Sequence, residues 1–318
     1  MGKVNPSKVA IIGCGFVGSA SAFALMQSGL FNEMVLLDAN HDKAEGEARD
    51  IAHGLPFVRP MKLYAGGYDD IADAAIIVIT AGANQKPDET RLDLVHKNVA
   101  IFESIIPEIT SRDYEGILLV VANPVDILTY TALKLSGYPE NRVIGSGTVL
   151  DSARLKYHLG EHLGVDSRSV HAFIVGEHGD SEIAAWSSAN VSGVPLDNFC
   201  EMRGHYNHVE ATERIAEEVK QSAYGIIQRK GATYYGIAMS VKRICEAIVR
   251  DEKSILPIST MMHGEYGISD VVLSMPCVVG KNGYETKVPI DLDQDEVTSL
   301  HESANTLKGV LEDVFTEK

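Results

Sequence analysis

The chain has 318 residues, 45% of them apolar, enough for a large core and roughly two domains. Its 28 basic and 44 acidic residues leave a formal charge of −16, which repels phosphate backbones and anionic lipid, so neither nucleic acid nor a membrane surface is an expected partner. No apolar run approaches the ~20 residues of a membrane helix. The opening "MGKVNPSKVAIIG" also lacks the apolar stretch of a secretory signal. Four widely spaced cysteines, Cys14, Cys200, Cys245 and Cys277, read as reduced thiols of a cytoplasmic protein, not as a disulfide frame or zinc site.

In chain order, the first half alternates β-rich runs with helical patterns. "VAIIG" (9–13), "MVLLD" (34–38), "KLYAG" (62–66), "AIIVITAG" (75–82), "ILLVVANP" (117–124) and "RVIGSG" (142–147) read as strands. Most are apolar throughout, as strands covered on both faces must be. Helical patterns at 19–28 and 126–136 are stopped by Gly29 and Gly137, and a third covers 92–111. This alternation predicts an α/β fold: a doubly wound, parallel six-stranded sheet over residues 1–145.

The rhythm changes after that. A helix opens at Leu150, strand-like runs follow at 171–175 and 183–187, and helical patterns cover 207–228 and 233–250. A strand pair then appears, "ILPISTMM" and "VVLSMPCVVG". The last helix carries Val297, Leu300, Ala304, Leu307, Leu311 and Val314 close to the 3.6 period. Residues 146–318 are expected to form a mixed α+β second domain.

"IIGCGFVGSA" places Gly13, Gly15 and Gly18 in G-x-G-x-x-G spacing, directly after the first strand and opening the first helix. An acid, Asp38, closes the second strand twenty residues after Gly18. Alone the glycines are a weak signal. In this context they predict a dinucleotide site. Gly13 permits the tight turn, Gly15 lets pyrophosphate approach the backbone, and Gly18 lets helix and strand pack closely. The helix N-terminus offers N–H groups to the phosphates. Asp38 would accept from the adenosine ribose hydroxyls and repel a 2′-phosphate, and Ala39 and Asn40 bring no cation, so NAD is expected over NADP.

A nicotinamide enzyme also needs a proton carrier, an anion clamp and a carbonyl polariser. In "VLDSARLKYHLGEHLG", Asp151 and Arg154 are three apart on one helix face. Such pairs are ordinarily surface ion pairs. Here Arg154 could hold a carboxylate through two parallel N–H bonds, and Asp151 could fix the tautomer of a histidine. That histidine is His178 in "IVGEHGDSE", an unremarkable loop residue if taken alone. "TAGANQKPDETRLDLV" (80–95) follows the fourth strand and reads as a lid carrying Arg91 toward a carbonyl. Asn123, in "VVANPVD", is placed to bond a nicotinamide carboxamide or a substrate oxygen, or serves only as a turn residue. His158 and His162 are four apart but lack an H-E-x-x-H context, so no metal site is expected.

Taken together, "GCGFVGSA", "GANQKPDETRLDLV", "NPVDILTY", "LDSARLKY", "GEHGDSE" and "KGATYYGIA" resemble the bacterial L-lactate dehydrogenases, within the lactate/malate dehydrogenase superfamily, over nearly the whole chain. The resemblance implies a Rossmann domain, NAD as cofactor, and pyruvate and L-lactate as substrates. It implies His178 as proton donor and acceptor with Asp151 as partner, Arg154 on the substrate carboxylate and Arg91 on the lid. It places Asn123 and Thr233 at the substrate, and Phe16, Val17, Thr80, Gly82, Ala83 and Ile237 at the cofactor. It also implies a homotetramer.

Two positions discriminate within the superfamily. Gln85 falls where malate-type relatives usually carry arginine. A second carboxylate buried on a neutral amide would cost several kcal/mol, so pyruvate is expected over oxaloacetate. Many bacterial members respond to fructose 1,6-bisphosphate through an arginine and a histidine. His171 matches the histidine, but Lys156 stands at the other place and lacks the bidentate fork, so activation is expected to be weak or absent. The competing readings are a malate or branched-chain 2-hydroxyacid dehydrogenase and, further off, a non-catalytic structural use of the fold or an NAD-dependent glycosidase.

Overall fold

The structure, a computed structural model, describes residues 4–83 and 90–316. The first part runs β1 (Asn5–Ile12), α1 (Phe16–Ser28), β2 (Glu33–Leu37), α2 (His41–Ala52), β3 (Lys62–Ala65), α3 (Tyr68–Ile71), β4 (Ala74–Ile79), α4 (Arg91–Thr110), β5 (Ile117–Val120), α5 (Val125–Ser136) and β6 (Val143–Gly145). The second part begins with α6 (Val149–Leu163). Five two-residue strands follow: β7 (Val170–His171), β8 (Ile174–Val175), β9 (Ile183–Ala184), β10 (Asn190–Val191) and β11 (Val194–Pro195). The chain ends with α7 (Leu196–Met202), α8 (His208–Lys230), α9 (Tyr235–Val249), β12 (Ser254–His263), β13 (Ser269–Gly280), β14 (Gly283–Lys287) and α10 (Gln294–Thr316).

The six expected strands pair in parallel, in the order β6-β5-β4-β1-β2-β3. Their central residues are fully covered, Val9, Ala10 and Ile11 in β1 and Ile76 to Ile79 in β4 among them. Helices on both faces explain this. On one face α4, α5 and α10 supply Phe102, Leu128 and Leu300; on the other α1, α2 and α9 supply Leu25, Ala48 and Ile244. The order reverses between β1 and β4, and open α/β sheets bind ligands at the carboxyl ends flanking such a switch point.

The sheet does not stop where the first part of the chain does. The late strand pair, expected within a separate domain, joins it: β12 lies antiparallel to β6, with Ser259 opposite Gly145, and β13 and β14 follow to make nine strands. A third apolar cluster, away from the sheet, packs α6 against α7, α8 and the short strands through Leu155, Leu159, Val191, Leu196 and Val219. Several boundaries differ from the sequence reading. The runs at 171–175 and 183–187 are broken, because Val170–His171 pairs with β10 while Ile174–Val175 pairs with Ile183–Ala184. β5 ends at Val120, so Asn123 stands in the following turn rather than at a strand end. Among the described residues, no helix is long and apolar enough to cross a membrane.

Candidate active site

The glycine turn is built as its spacing requires. Gly13 has φ 101°, and a Cβ there would meet the Ala81 backbone nitrogen at 2.5 Å. A Cβ on Gly18 would sit 1.9 Å from the Gly13 carbonyl oxygen, so α1 packs this close only with glycine. Gly15, the N-cap of α1, has open space where its Cβ would be, which is what an approaching pyrophosphate needs. The Thr80 hydroxyl donates to the Gly13 carbonyl at 2.7 Å and pins the end of β4 to the turn. Asp38 follows β2 and accepts from Cys14 N at 2.6 Å and Asn40 N at 2.9 Å, so its carboxylate is locked at the groove wall.

A groove of about 840 Å³ runs along this edge, lined by Gly13, Gly15, Asp38, Thr80 and Gly82. That is the size class of a cofactor site, and the residues present fit a dinucleotide. Gly66, Gly67 and Tyr68 also line it, as do His41 and Lys43 in the first turn of α2. Lys43 is a cation that Ala39 and Asn40 alone do not disclose; it lies within one turn of the Asn40 cap. Phe16 is 69% exposed and stacks on Tyr234 at 5.3 Å, while Val17 packs against the α1 face of the core. Burial, reinforced by the Asp38 charge, pushes the Cys14 thiol up to about 12, so it stays protonated beside the groove.

His178 lies in the turn between β8 and β9, and its position is over-determined. Its Nδ1 is 2.6 Å from Asp151 Oδ2. A carboxylate only accepts, so Nδ1 carries the hydrogen, and Nε2 is the nitrogen left for chemistry. Its backbone N–H donates to Asp126 Oδ2 at 2.7 Å, and Asp126 Oδ1 in turn accepts from the Ser259 hydroxyl at 2.5 Å. Asp151 shares its other oxygen with Arg154 Nη1 at 2.8 Å. Helices α5 and α6, the turn and β12 thus converge on one imidazole.

The electrostatics follow from this packing. Burial alone would pull the His178 imidazole down, but the Asp151 charge and hydrogen bond, with Asp126 and Glu182 behind, outweigh it and raise the ring to about 9. Asp151 is buried, which opposes ionisation, yet His178 and Arg154 hold its carboxyl below the usual range. Asp126 is pushed up to about 6 by burial, partly offset by the Ser259 and His178 hydrogen bonds. Asp126 and Ser259 were not anticipated. A lone acid in the first turn of a mostly buried helix was the available signal for Asp126; nothing local marks Ser259.

Of the expected lid, residues 84–89, Gln85 among them, lie outside the described residues. Arg91 is the first residue of α4, fixed by a Thr90–Asp93 capping box in which the Thr90 hydroxyl accepts from Asp93 N and the Asp93 carboxylate from Thr90 N. Buried Asn98, also unforeseen, ties the lid's start to the post-β5 turn. Its Oδ1 accepts from Ala83 N and its Nδ2 donates to the Asn123 carbonyl, both at 2.7 Å. Thr233 sits half-buried between α8 and α9, and Ile237 packs against the core from α9. Lys156 lies over the Phe173 ring at 5.6 Å, and His171 is exposed on β7. His158 pairs with Glu218 at 3.4 Å, and the His162 and His205 rings lie 4.4 Å apart.

A dinucleotide groove at the switch point and, in the same chain, an imidazole with an orienting acid and a guanidinium are the equipment of a nicotinamide-dependent dehydrogenase of small carboxylates. Residues 7–145 match the description "lactate/malate dehydrogenase, NAD binding domain" and residues 148–318 "lactate/malate dehydrogenase, alpha/beta C-terminal domain". The L-lactate dehydrogenase of Acetivibrio thermocellus is 54% identical, covering 96% of each chain, and that of Priestia megaterium is 52% identical, covering 97% of this chain and 96% of the relative. The ligand-bound crystal structure of the minor L-lactate dehydrogenase of Enterococcus mundtii superposes with a TM-score of 0.94 at 43% identity, covering 98% of this chain and 99% of that one. The chain belongs to the lactate/malate dehydrogenase family.

Proposed function

We propose that the chain is an NAD-dependent L-lactate dehydrogenase that interconverts pyruvate and L-lactate, with His178 as the proton donor and acceptor. The observation that carries this reading is the 2.6 Å pair between His178 Nδ1 and Asp151, whose second oxygen holds Arg154. One acid thereby orients both the proton carrier and the anion clamp. The division falls after Gly145: the first part supplies most of the cofactor site and sends Arg91 and Asn123 to the substrate, and the second carries the acid–base cluster and the anion clamp.

The bound nicotinamide supplies or accepts the hydride. Gly13, Gly15 and the α1 N-terminus receive its pyrophosphate, Asp38 takes the ribose hydroxyls, and Thr80, Gly82, Ala83 and Ile237 line its path. The bond to Asp151 uses one of a guanidinium's five N–H donors, so Arg154 can still grip the substrate carboxylate through two others. Arg91 stabilises the charge that grows on the ketone oxygen, while Asn123 and Thr233 bound the substrate. Protonated His178 gives its Nε2 proton as pyruvate is reduced, and the neutral ring takes it back as lactate is oxidised.

Gln85 sets the preference for a methyl over a second carboxylate. A kcat/KM higher for pyruvate than for oxaloacetate or 2-oxoisocaproate, read from NADH absorbance, is the expected result; a higher value for oxaloacetate would refute the assignment. Gln85→Arg should move the preference toward the diacid. The Phe173 ring beneath Lys156, and the burial that lowers that amine's proton affinity, support weak or absent activation by fructose 1,6-bisphosphate. Exposed Phe16 and Phe23 on α1, with Tyr235 and Met239 on α9, support burial in a homotetramer. Four free, buried cysteines support a reducing, cytoplasmic setting.

A further inference from the structure

Glu182 closes the turn that carries His178, and the mechanism above gives it no task. It is 6% exposed, and its Oε1 has no hydrogen-bond partner among the described residues. A glutamate kept for structure would satisfy both oxygens, because a buried unpaired polar atom costs about 1–3 kcal/mol. Yet one ligand atom each from Asp151, His178 and Glu182 lies within 4.8 Å of the others. Two carboxyl groups therefore face one imidazole, and only Asp151 is compensated by short hydrogen bonds.

We propose that Glu182 is a third member of the acid–base cluster, a positioning residue that acts through His178 by holding the proton on the imidazole as the solution becomes alkaline. This rests on the reading of His178 as the proton carrier. The groups around Glu182 define its behaviour. Asp151 and Arg154 face it from α6, His178 from its own turn, and Lys220 from α8. On its outer side lies a cleft of about 590 Å³, where Asp293, Asp295, Glu296 and Glu302 line the wall with Lys220. His178 itself faces Asp151, Asp126 and Glu182.

Burial first, and then the Asp151 charge, raise the Glu182 carboxyl to about 8 against the pull of His178, Lys220 and Arg154. At neutral pH it is therefore uncharged, which is the cheap state for an unpaired buried acid. As pH rises through the alkaline range this carboxyl loses its proton, coupled to the imidazole it faces. The new anion then favours the imidazolium, so the acid form of His178 persists to higher pH than Asp151 and Asp126 alone would sustain.

The test compares Glu182→Gln, which keeps shape and removes the charge, with Glu182→Asp, which keeps the charge on a shorter arm. Each pH profile of kcat/KM for pyruvate is normalised to its own optimum, and the His178 ring is titrated separately by nitrogen NMR in the NADH-bound enzyme. The expected result for Glu182→Gln is an alkaline limb about one pH unit lower, about a tenfold loss beyond the limb, with the ring titration moved by the same amount. Glu182→Asp should stay near the parent. If neither the limb nor the titration moves in Glu182→Gln, the proposal is overturned. A limb that moves without the ring overturns it too, since Glu182 would then act elsewhere. A ring that moves under an unmoved limb overturns His178 as proton carrier, and Glu182's part in turnover with it.

Discussion

Gly13 and Asp38 meet because β1 and β2 are neighbouring strands, with Val9 opposite Met34 and Ile12 opposite Leu37. His178 and Asp151 meet because a long excursion through α6 and two short strands returns to the sheet, where Gly176 exchanges hydrogen bonds with Ser274 of β13. The floor of the cofactor groove is thus assembled locally, from one β-α-β unit and the end of β4, with α2, the turn after β3 and α4 completing its walls. The acid–base cluster is assembled globally, from α5, α6, a turn and β12. Local assembly leaves a spacing signature and tolerates change elsewhere in the chain. Global assembly leaves none, and each member depends on distant packing.

The largest test of this contrast removes the proton carrier. His178→Ala should lower turnover by about 10²–10⁴-fold while NADH affinity, measured by fluorescence titration, stays near the parent. Joint loss of both would break the separation between the two halves. Arg154→Gln comes next. It removes the anion clamp and uncovers Asp151, a loss of about 2–5 kcal/mol in kcat/KM for pyruvate, again with NADH binding retained. Asp126→Ala sharpens the claim of global assembly, since it leaves the His178 N–H and the Ser259 hydroxyl without their acceptor, at about 1–3 kcal/mol each. Both Tm and kcat should fall; a fall in Tm alone would mean that Asp126 does not position the imidazole. The smallest effect is expected in the local half. Asp38→Ser, with Lys43 already at the groove, should shift the NADH-to-NADPH ratio of kcat/KM by about tenfold, the scale of one screened charge contact.

What the sequence disclosed follows the same line. The six parallel strands were legible because burial on both faces makes them apolar end to end, and Gly13 and Gly18 because only one residue type fits their contacts. Asp151, Arg154 and His178 could be named from residue type and resemblance, but their contact could not, since it depends on how α6 and the turn pack. Asp126 was passed over inside a stretch quoted for Asn123. Asn98 lies in a helix whose other inward residues are apolar, so nothing local marked its two bonds. Helix α2, "HDKAEGEARDIA", buries only Ala44, Ala48 and Ile51, too narrow a stripe to announce itself. The continuation of the sheet through Ser259 and Gly145 is a pairing between distant segments that no periodicity encodes.

The most direct measurement is kcat/KM against pH in both directions, pyruvate with NADH and L-lactate with NAD. One group that gives and takes the same proton must produce opposite profiles around one ionisation: reduction falling and oxidation rising as pH climbs past it, at a pH above that of an ordinary imidazole. Two profiles that fall together, or a break that survives in His178→Ala, would contradict the account.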